Sequence, residues 1–321
     1  VSFAGFDCAC ITGPTACGKT ELAFELAERL PLEVVSMDSA LVYRGLDIGT
    51  AKPSPEMRRV VPHHLIDIVE PNEAYSAGRF VRDAAATIGT IQARGRLPLL
   101  VGGTLLYLRA LRDGLAALPR ADRGVRAAID AEAELHGWAT LHKRLQRVDP
   151  EAAARVAPGD RQRIQRALEV YELTGRPISE LQRAGTGSTG LNILTIALVP
   201  EDRAELGRRI ELRFDAMVAR GFVAEVERLK ARGDLTPAMP AIRSVGYRQI
   251  WAFLSGETSW EEARNQAVIA TRQYARRQLT WLRGDRRCEP WPAFGPHLDE
   301  RLLERLEREG LVAAKKPRRL C

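Results

Sequence analysis

Residues Gly13 to Thr20 read Gly-Pro-Thr-Ala-Cys-Gly-Lys-Thr, and glycines, lysine and threonine at that spacing suit a chain that grips phosphates. In the pattern G-x-x-x-x-G-K-T, the backbone of Gly13, Pro14, Thr15, Ala16, Cys17 and Gly18 wraps an anion. Lys19 reaches its oxygens, and the Thr20 hydroxyl faces Mg²⁺ at a helix N-terminus whose dipole favours negative charge. A glycine turn without ligand is the bland alternative. The loop implies chemistry on a di- or triphosphate without naming it. ATP and GTP are its commonest ligands, which points to a kinase or NTPase. Against this, a later strand that would supply an acidic Mg²⁺ ligand ends in Gly102-Gly103-Thr104, and no guanine-reading N-K-x-D segment occurs.

The elements that must hold this loop are legible around it. Apolar residues fill Cys8 to Thr12, and helical periodicity begins at Lys19. Further strands are expected over Glu33 to Met37, ending at Asp38, and over Leu97 to Val101. A helix is expected from Ser76 to Ala93 with Ser76 as its N-cap. From Pro119 to Arg183 the strand signal vanishes, and Val125 to His136, Ala139 to Val148, Glu151 to Val156, Arg161 to Leu173 and Ile178 to Gln182 read as helices. A Gly/Ser/Thr-rich linker, Gly185 to Gly190, closes this stretch. Leu191 to Val199 returns a strand, and the remainder reads as helical up to a polar basic tail, KKPRR, expected to be disordered.

The expected fold class is therefore α/β: a P-loop NTPase-like parallel sheet flanked by helices, with an inserted all-helical domain. Residues 1–118 and 191–321 form the core domain and residues 119–190 the insertion.

At 321 residues, with 45% hydrophobic and 28% charged residues, the chain can build a substantial core. It holds no apolar run of membrane-spanning length and no secretory start, so a cytoplasmic protein without membrane contact is expected. Five cysteines, Cys8, Cys10, Cys17, Cys288 and Cys321, show neither CxxC spacing nor a histidine pair, so reduced thiols are expected. Cys8 and Cys10 share a strand face, where packing outweighs metal binding. A net charge of +7 and a pI near 9.4 suit a polyanionic partner or a GC-rich genome equally. The arginines thicken after about residue 155, which favours the partner.

Beyond the loop, SMDSALVYRGLDIGTAKP (Ser36 to Pro53), PHHLIDI, YSAGRF and LPLLVGGTLLY (Leu97 to Tyr107) resemble the tRNA dimethylallyltransferases. QRIQRALEVYELTG (Gln162 to Gly175), IRSVGYRQIW (Ile242 to Trp251) and ATRQYARRQLTWLR (Ala270 to Arg283) continue the resemblance over nearly the whole chain. It implies transfer of a dimethylallyl group from dimethylallyl diphosphate to N6 of adenosine 37, beside the anticodon of tRNAs that read codons beginning with U. Mg²⁺ is the implied cofactor, and a monomer is expected. The same core would also suit an ATP-dependent small-molecule kinase, a non-catalytic RNA-binding protein or a prenyltransferase acting on free adenine nucleotides. Asp38 with an intact loop argues against the RNA-binding protein, and a basic helical insertion against the free-nucleotide enzyme.

An exocyclic adenine amine is a weak nucleophile, so a carboxylate that accepts the N6 proton helps its attack on C1 of the donor. Asp38, in the family's DSAL segment, fits that role; a Mg²⁺ ligand or a helix cap is the alternative. Thr104 matches the family's site threonine, with a helix-start cap as the bland reading. Lys19, the loop amides and Mg²⁺ on Thr20 would stabilise the departing diphosphate. Arg276 is the arginine favoured to join them, against a solvated helix face.

The resemblance also implies tRNA contacts at Asp38, Ser39, Ala40, Leu41 and Thr104, at Arg126, at Gln162, Arg163, Ile164, Gln165 and Arg166, and at Arg243, Ser244, Val245, Gly246, Tyr247 and Arg248. Tyr247 or Tyr43 could stack on an unpaired base, with core packing the favoured reading for Tyr247. Trp138, Trp251, Trp260, Trp281 and Trp291 are expected in the core. Cys17 stands where the family usually has Ser. Gly159 and Arg161 replace its Asn and Pro, so the next helix start is expected to differ. The eukaryotic zinc finger is lacking, as in a bacterial-type enzyme.

Overall fold

The computed structural model describes residues 5–184 and 189–312. Most of linker 185–190, the KKPRR tail and Cys321 lie outside them. The described chain divides into two compact units, 1–112 with 190–321, and 113–189.

The first unit opens with β1 (Cys8–Thr12), α1 (Lys19–Ala27), β2 (Leu32–Ser36), α2 (Pro55–Val60), β3 (His63–His64), α3 (Ala77–Ala93), β4 (Leu97–Gly102) and α4 (Leu105–Asp113). The second unit holds α5 (Arg123–His136), α6 (Trp138–Val148), α7 (Pro150–Arg155), α8 (Arg161–Thr174) and α9 (Ile178–Arg183). The chain then returns through β5 (Ile193–Val199), α10 (Arg203–Ala219), α11 (Phe222–Ala231), α12 (Tyr247–Leu254), α13 (Trp260–Gly284), β6 (Cys288–Pro292) and α14 (Leu298–Arg308).

The six strands form one sheet in the order β3-β2-β4-β1-β5-β6, every pair parallel. Strands covered on both faces must be apolar throughout, and β1, β2 and β4 are buried end to end. Ile11 pairs with Val101 and Val101 with Ser36, so three central strands end at one level. The residues that follow them, Gly13, Asp38 and Thr104, emerge along a single sheet edge.

The α/β class is as the sequence implies, and Ser76 caps α3 by accepting the Arg79 N–H at 3.2 Å. Two differences are instructive. The C-terminal stretch is not wholly helical, because Cys288–Pro292 adds β6. Its Pro290 and Pro292 mask a strand reading, yet an edge strand tolerates residues without an N–H. Trp251 and Trp291 are buried and Trp138 and Trp260 half-buried, but Trp281 is 42% exposed, with the Arg109 guanidinium 5.8 Å from its ring. Cys8 and Cys10 are buried, and desolvation raises both thiol pKa values, so they stay protonated. Among the described residues no helix is long and apolar enough to cross a membrane.

The helical unit has its own core, with Ile129, Leu141, Leu145, Ile164, Leu168 and Val170 at its centre. Aspartates start α5, α7 and α8: Asp122, Asp149 and Asp160 accept the N–H groups of Val125, Ala152 and Arg163. Asp160 thus caps α8 at Arg161 where the family's Asn and Pro are missing. Buried Asp149 also binds the Ser179 N–H and hydroxyl, tying α7 to α9.

Candidate active site

The loop after β1 turns tightly into α1. Gly13 lies at φ 150°, and a Cβ there would stand 2.6 Å from the Leu198 carbonyl oxygen, so only glycine fits beside β5. Ala16 and Gly18 both have left-handed φ, 64° and 76°, which turns successive amides towards a common point as in an anion nest. The Lys19 ammonium folds over the loop and donates to the carbonyls of Gly13 at 3.0 Å and Pro14 at 2.6 Å. Desolvation, together with the charge of Arg213, lowers its pKa to about 8, against the opposing pull of Asp38. Cys17 is buried and its thiol is pushed up to about 11, chiefly by desolvation, so it is not a nucleophile.

A cavity of about 680 Å³ lies over this loop. Thr15 to Thr20, Asp38, Leu41, Gly102, Gly103, Tyr274 and Gln278 line it. The register of β1, β2 and β4 thus brings the phosphate loop and Asp38 to one space. Asp38 accepts the Ala40 N–H at 2.8 Å and the Leu41 N–H at 3.4 Å, which sets the turn after β2. Thr104 accepts the Ser39 N–H at 3.1 Å, and Tyr274 reaches the cavity from α13. Burial and the Asp38 charge raise the Tyr274 pKa, so this phenol stays neutral.

Gln278 lies one helical turn beyond Tyr274 on α13. Its Oε1 accepts the Thr15 N–H at 3.1 Å and its Nε2 donates to the Gly103 carbonyl at 2.8 Å. Tyr274 and Gln278 at i and i+4 present one helix face to the cavity. Sequence reasoning passed over both, because the arginines of the same helix draw the eye by charge, whereas the signal lies in the spacing.

Arg276 is offset by about 200° from Tyr274 on that helix. It is exposed and is not among the cavity-lining residues, so the structure does not bring it to the phosphate loop. The cations that do line the cavity are Arg209, Arg213 and Arg220 of α10 and its end, with Lys19 and Lys52. Burial lowers the pKa of Arg213 while Asp38 and Glu21 raise it, and Arg213 donates to the Thr50 carbonyl at 3.4 Å. Lys52 is fully enclosed, donating to the Tyr43 carbonyl at 2.7 Å, Asp47 at 2.6 Å and Asp67 at 2.5 Å. Its charge is spent inside the protein.

The residues expected at RNA are dispersed. Ser39 is exposed, and Ala40 and Leu41 are half-buried beside Asp38. Arg243 and Arg248 are exposed, Ser244 and Val245 half-buried, and Gly246 starts α12 with its N–H on Gln249 Oε1 at 2.9 Å. Tyr247 does not reach a base: it is fully buried, its ring 4.9 Å from that of Phe222 and its hydroxyl 2.6 Å from Glu225. Tyr43 is likewise buried. In the helical unit Gln162 and Arg163 are exposed on α8 and Gln165 donates to Asp130 at 2.6 Å, but the Ile164 side chain belongs to the core. Arg126 and Arg166 converge on Glu169.

A phosphate loop and a carboxylate lining one cavity at the carboxyl edge of a parallel sheet define a phosphate-loop α/β protein. Residues 41–285 match the IPP transferase family, and the chain belongs to that family. It is 58% identical over 281 residues to the tRNA dimethylallyltransferase of Alkalilimnicola ehrlichii, covering 88% of this chain and 89% of that one. Identity to the tRNA dimethylallyltransferase of Burkholderia lata is 54% over 304 residues, 94% of each chain. Among solved structures, the tRNA isopentenylpyrophosphate transferase of Bacillus halodurans is 37% identical with a TM-score of 0.68, covering 94% of this chain and 96% of that one. A eukaryotic dimethylallyltransferase acting on tRNA superimposes with a TM-score of 0.76 at 26% identity, covering 97% and 81%.

Proposed function

We propose that the protein transfers a dimethylallyl group from dimethylallyl diphosphate to N6 of adenosine 37 in tRNAs reading UNN codons, releasing diphosphate, in the cytoplasm. The observation that carries this reading is the shared cavity, which the phosphate loop with Lys19, Arg213, Asp38 and Tyr274 line together. The relatives named above supply the donor and acceptor classes.

In this reaction N6 attacks C1 of the donor, the C1–O bond breaks with its electron pair on diphosphate, and the N6 proton passes to the Asp38 carboxylate. Lys19, Arg213 and the loop amides meet the charge that grows on the leaving group, where fixed donors act most strongly. Thr104, held by the Ser39 N–H, orients the acceptor base. Among the described residues no cluster of three His, Cys, Asp or Glu side chains could hold a metal alone. The hard hydroxyl oxygen of Thr20, which lines the cavity beside the loop amides, fits Mg²⁺, which takes few protein ligands and keeps water and phosphate oxygens. The Thr20 hydroxyl would hold it, and bound there it would neutralise charge on the diphosphate.

For the RNA, exposed Arg163, Gln162, Arg243 and Arg248 and half-exposed Arg126 are the expected contact groups that lie at the surface. Arg276 moves to this set, because with Arg277, Arg283 and Trp281 it forms an exposed basic face of α13 that also offers an aromatic surface.

Incubation with Mg²⁺, labelled dimethylallyl diphosphate and unmodified tRNA should place label in RNA, and a transcript with guanosine at position 37 should take none. ATP turnover on a small acceptor without RNA labelling would replace this reading with a kinase. Asp38→Asn, which keeps an acceptor for the Ala40 N–H, should lower kcat by roughly 10²–10⁴-fold with tRNA affinity retained.

A further inference from the structure

Glu169 is the most enclosed carboxylate of the helical unit, its side chain 0% exposed. Its Oε1 accepts the Asp122 N–H at 2.9 Å and Arg126 Nε at 2.8 Å, and its Oε2 accepts an Arg126 terminal amino group at 3.0 Å and one from Arg166 at 2.7 Å. Arg166 spends its other terminal amino group on the Pro119 carbonyl at 2.7 Å. One carboxylate thus faces two guanidinium groups, leaving an excess positive charge, and the forks differ in access: Arg126 is 40% exposed and Arg166 27%. Burial pushes the Glu169 carboxyl up, but the bonds from Arg126 and Arg166 override it and keep the group ionised.

A buried ion pair is a poor source of stability in itself, since an apolar replacement often serves as well. A bidentate carboxylate does fix the plane of a guanidinium, and a fixed fork loses less freedom when it meets a phosphate.

We propose that Glu169 is a positioning residue for RNA capture: it locks Arg126 against Arg166 so that the remaining terminal amino group of Arg126 is presented to the phosphate backbone of the tRNA. The inference rests on the tRNA reading above. Arg126 is the contacting group and Glu169 acts through it.

The test is a double-mutant cycle read as tRNA Kd at several salt concentrations, with thermal midpoint and the KM for dimethylallyl diphosphate measured alongside. Glu169→Gln should weaken tRNA binding roughly tenfold, the cost of ordering a long side chain on binding. KM for the prenyl diphosphate should not change. Arg126→Ala should weaken binding at least as much, and Glu169→Gln added to it should cost nothing further. Asp149→Asn, at a carboxylate also buried in the same unit but bonded to Ser179 and Ala152, should lower the midpoint without altering tRNA affinity. If Glu169→Gln does not fold, Arg126→Lys serves instead: it keeps the charge and loses the fork, and should bind tRNA almost as weakly as Arg126→Ala. Wild-type affinity in folded Glu169→Gln or in Arg126→Lys, or additive losses in the cycle, would overturn the proposal. If Arg126→Ala binds tRNA normally while prenyl transfer to tRNA persists, this proposal fails and the assigned reaction stands. Absence of transfer to tRNA by the wild type sinks the assigned reaction itself.

Discussion

Gln278 donates its side-chain amide to the Gly103 carbonyl at 2.8 Å, from the C-terminal part of a 25-residue helix to the turn after β4. With its other end on the Thr15 N–H, it joins the phosphate loop to the turn that carries Thr104. It adds to the Thr12 hydroxyl, which donates to the Gly102 carbonyl at 3.0 Å where β1 and β4 end.

Gln278→Leu keeps the side chain's bulk and removes both bonds. Leaving a buried polar group unpaired costs about 1–3 kcal/mol. The thermal midpoint should fall, KM for dimethylallyl diphosphate should rise and kcat should drop, while tRNA Kd is unchanged. A variant with wild-type KM and kcat would reduce Gln278 to an ordinary core amide.

Arg213 and Arg276 separate the cavity wall from the outer helix face. Arg213→Gln should raise KM for the prenyl diphosphate at least tenfold, the scale of one lost charge-assisted hydrogen bond of about 1.5–3 kcal/mol. Arg276→Gln should leave that KM alone and reduce the salt dependence of tRNA binding. Steady-state kinetics with each substrate varied in turn distinguishes the two; the reverse pattern would restore Arg276 to the diphosphate.

Tyr247→Phe tests what the RSVGYR segment does. Glu225 takes the Tyr247 hydroxyl and also the N–H groups of Asp47, Ile48 and Gly49, at 3.0, 2.7 and 3.1 Å. The tyrosine is therefore part of the brace that shapes the loop leading to Lys52. Removing its hydroxyl should cost about 1 kcal/mol of stability, seen as a lower midpoint, with tRNA affinity within error of wild type. Weakened tRNA binding without loss of stability would instead return Tyr247 to the RNA.

Those same residues mark the limit of what was legible beforehand. Lys19 and Gly13 could be read because loop chemistry is local, fixed by residues adjacent in sequence. Asp38 could be read because a strand end in a parallel sheet points to the site. For Tyr247 core packing could be read, but its partner could not, because that partner is Glu225, which sits on α11 with nothing in its neighbourhood to mark it. Arg213 and Gln278 were hidden for a like reason: each is one polar residue in a long amphipathic helix, and only the packing of α10 and α13 decides which face meets the cavity. β6 was hidden by its prolines, which an edge position excuses.

Lys19 gives the site opposite responses to pH. Its pKa is held down to about 8 from the ordinary 10.5, chiefly by desolvation. Below about pH 8 the folded and unfolded chains both carry the proton. Between about 8 and 10.5 the unfolded chain binds more protons than the folded one, so rising pH stabilises the ligand-free fold through this group. Diphosphate needs the charged ammonium, so its affinity should fall over the start of the same range. Calorimetric titration of inorganic diphosphate with Mg²⁺ from pH 7 to about 9.5 should show weakening above about 8. In Lys19→Arg the guanidinium stays charged throughout, and the slope should flatten whatever the variant's absolute affinity. A wild-type affinity that does not change across that interval would mean that Lys19 is not the titrating contact to the phosphate.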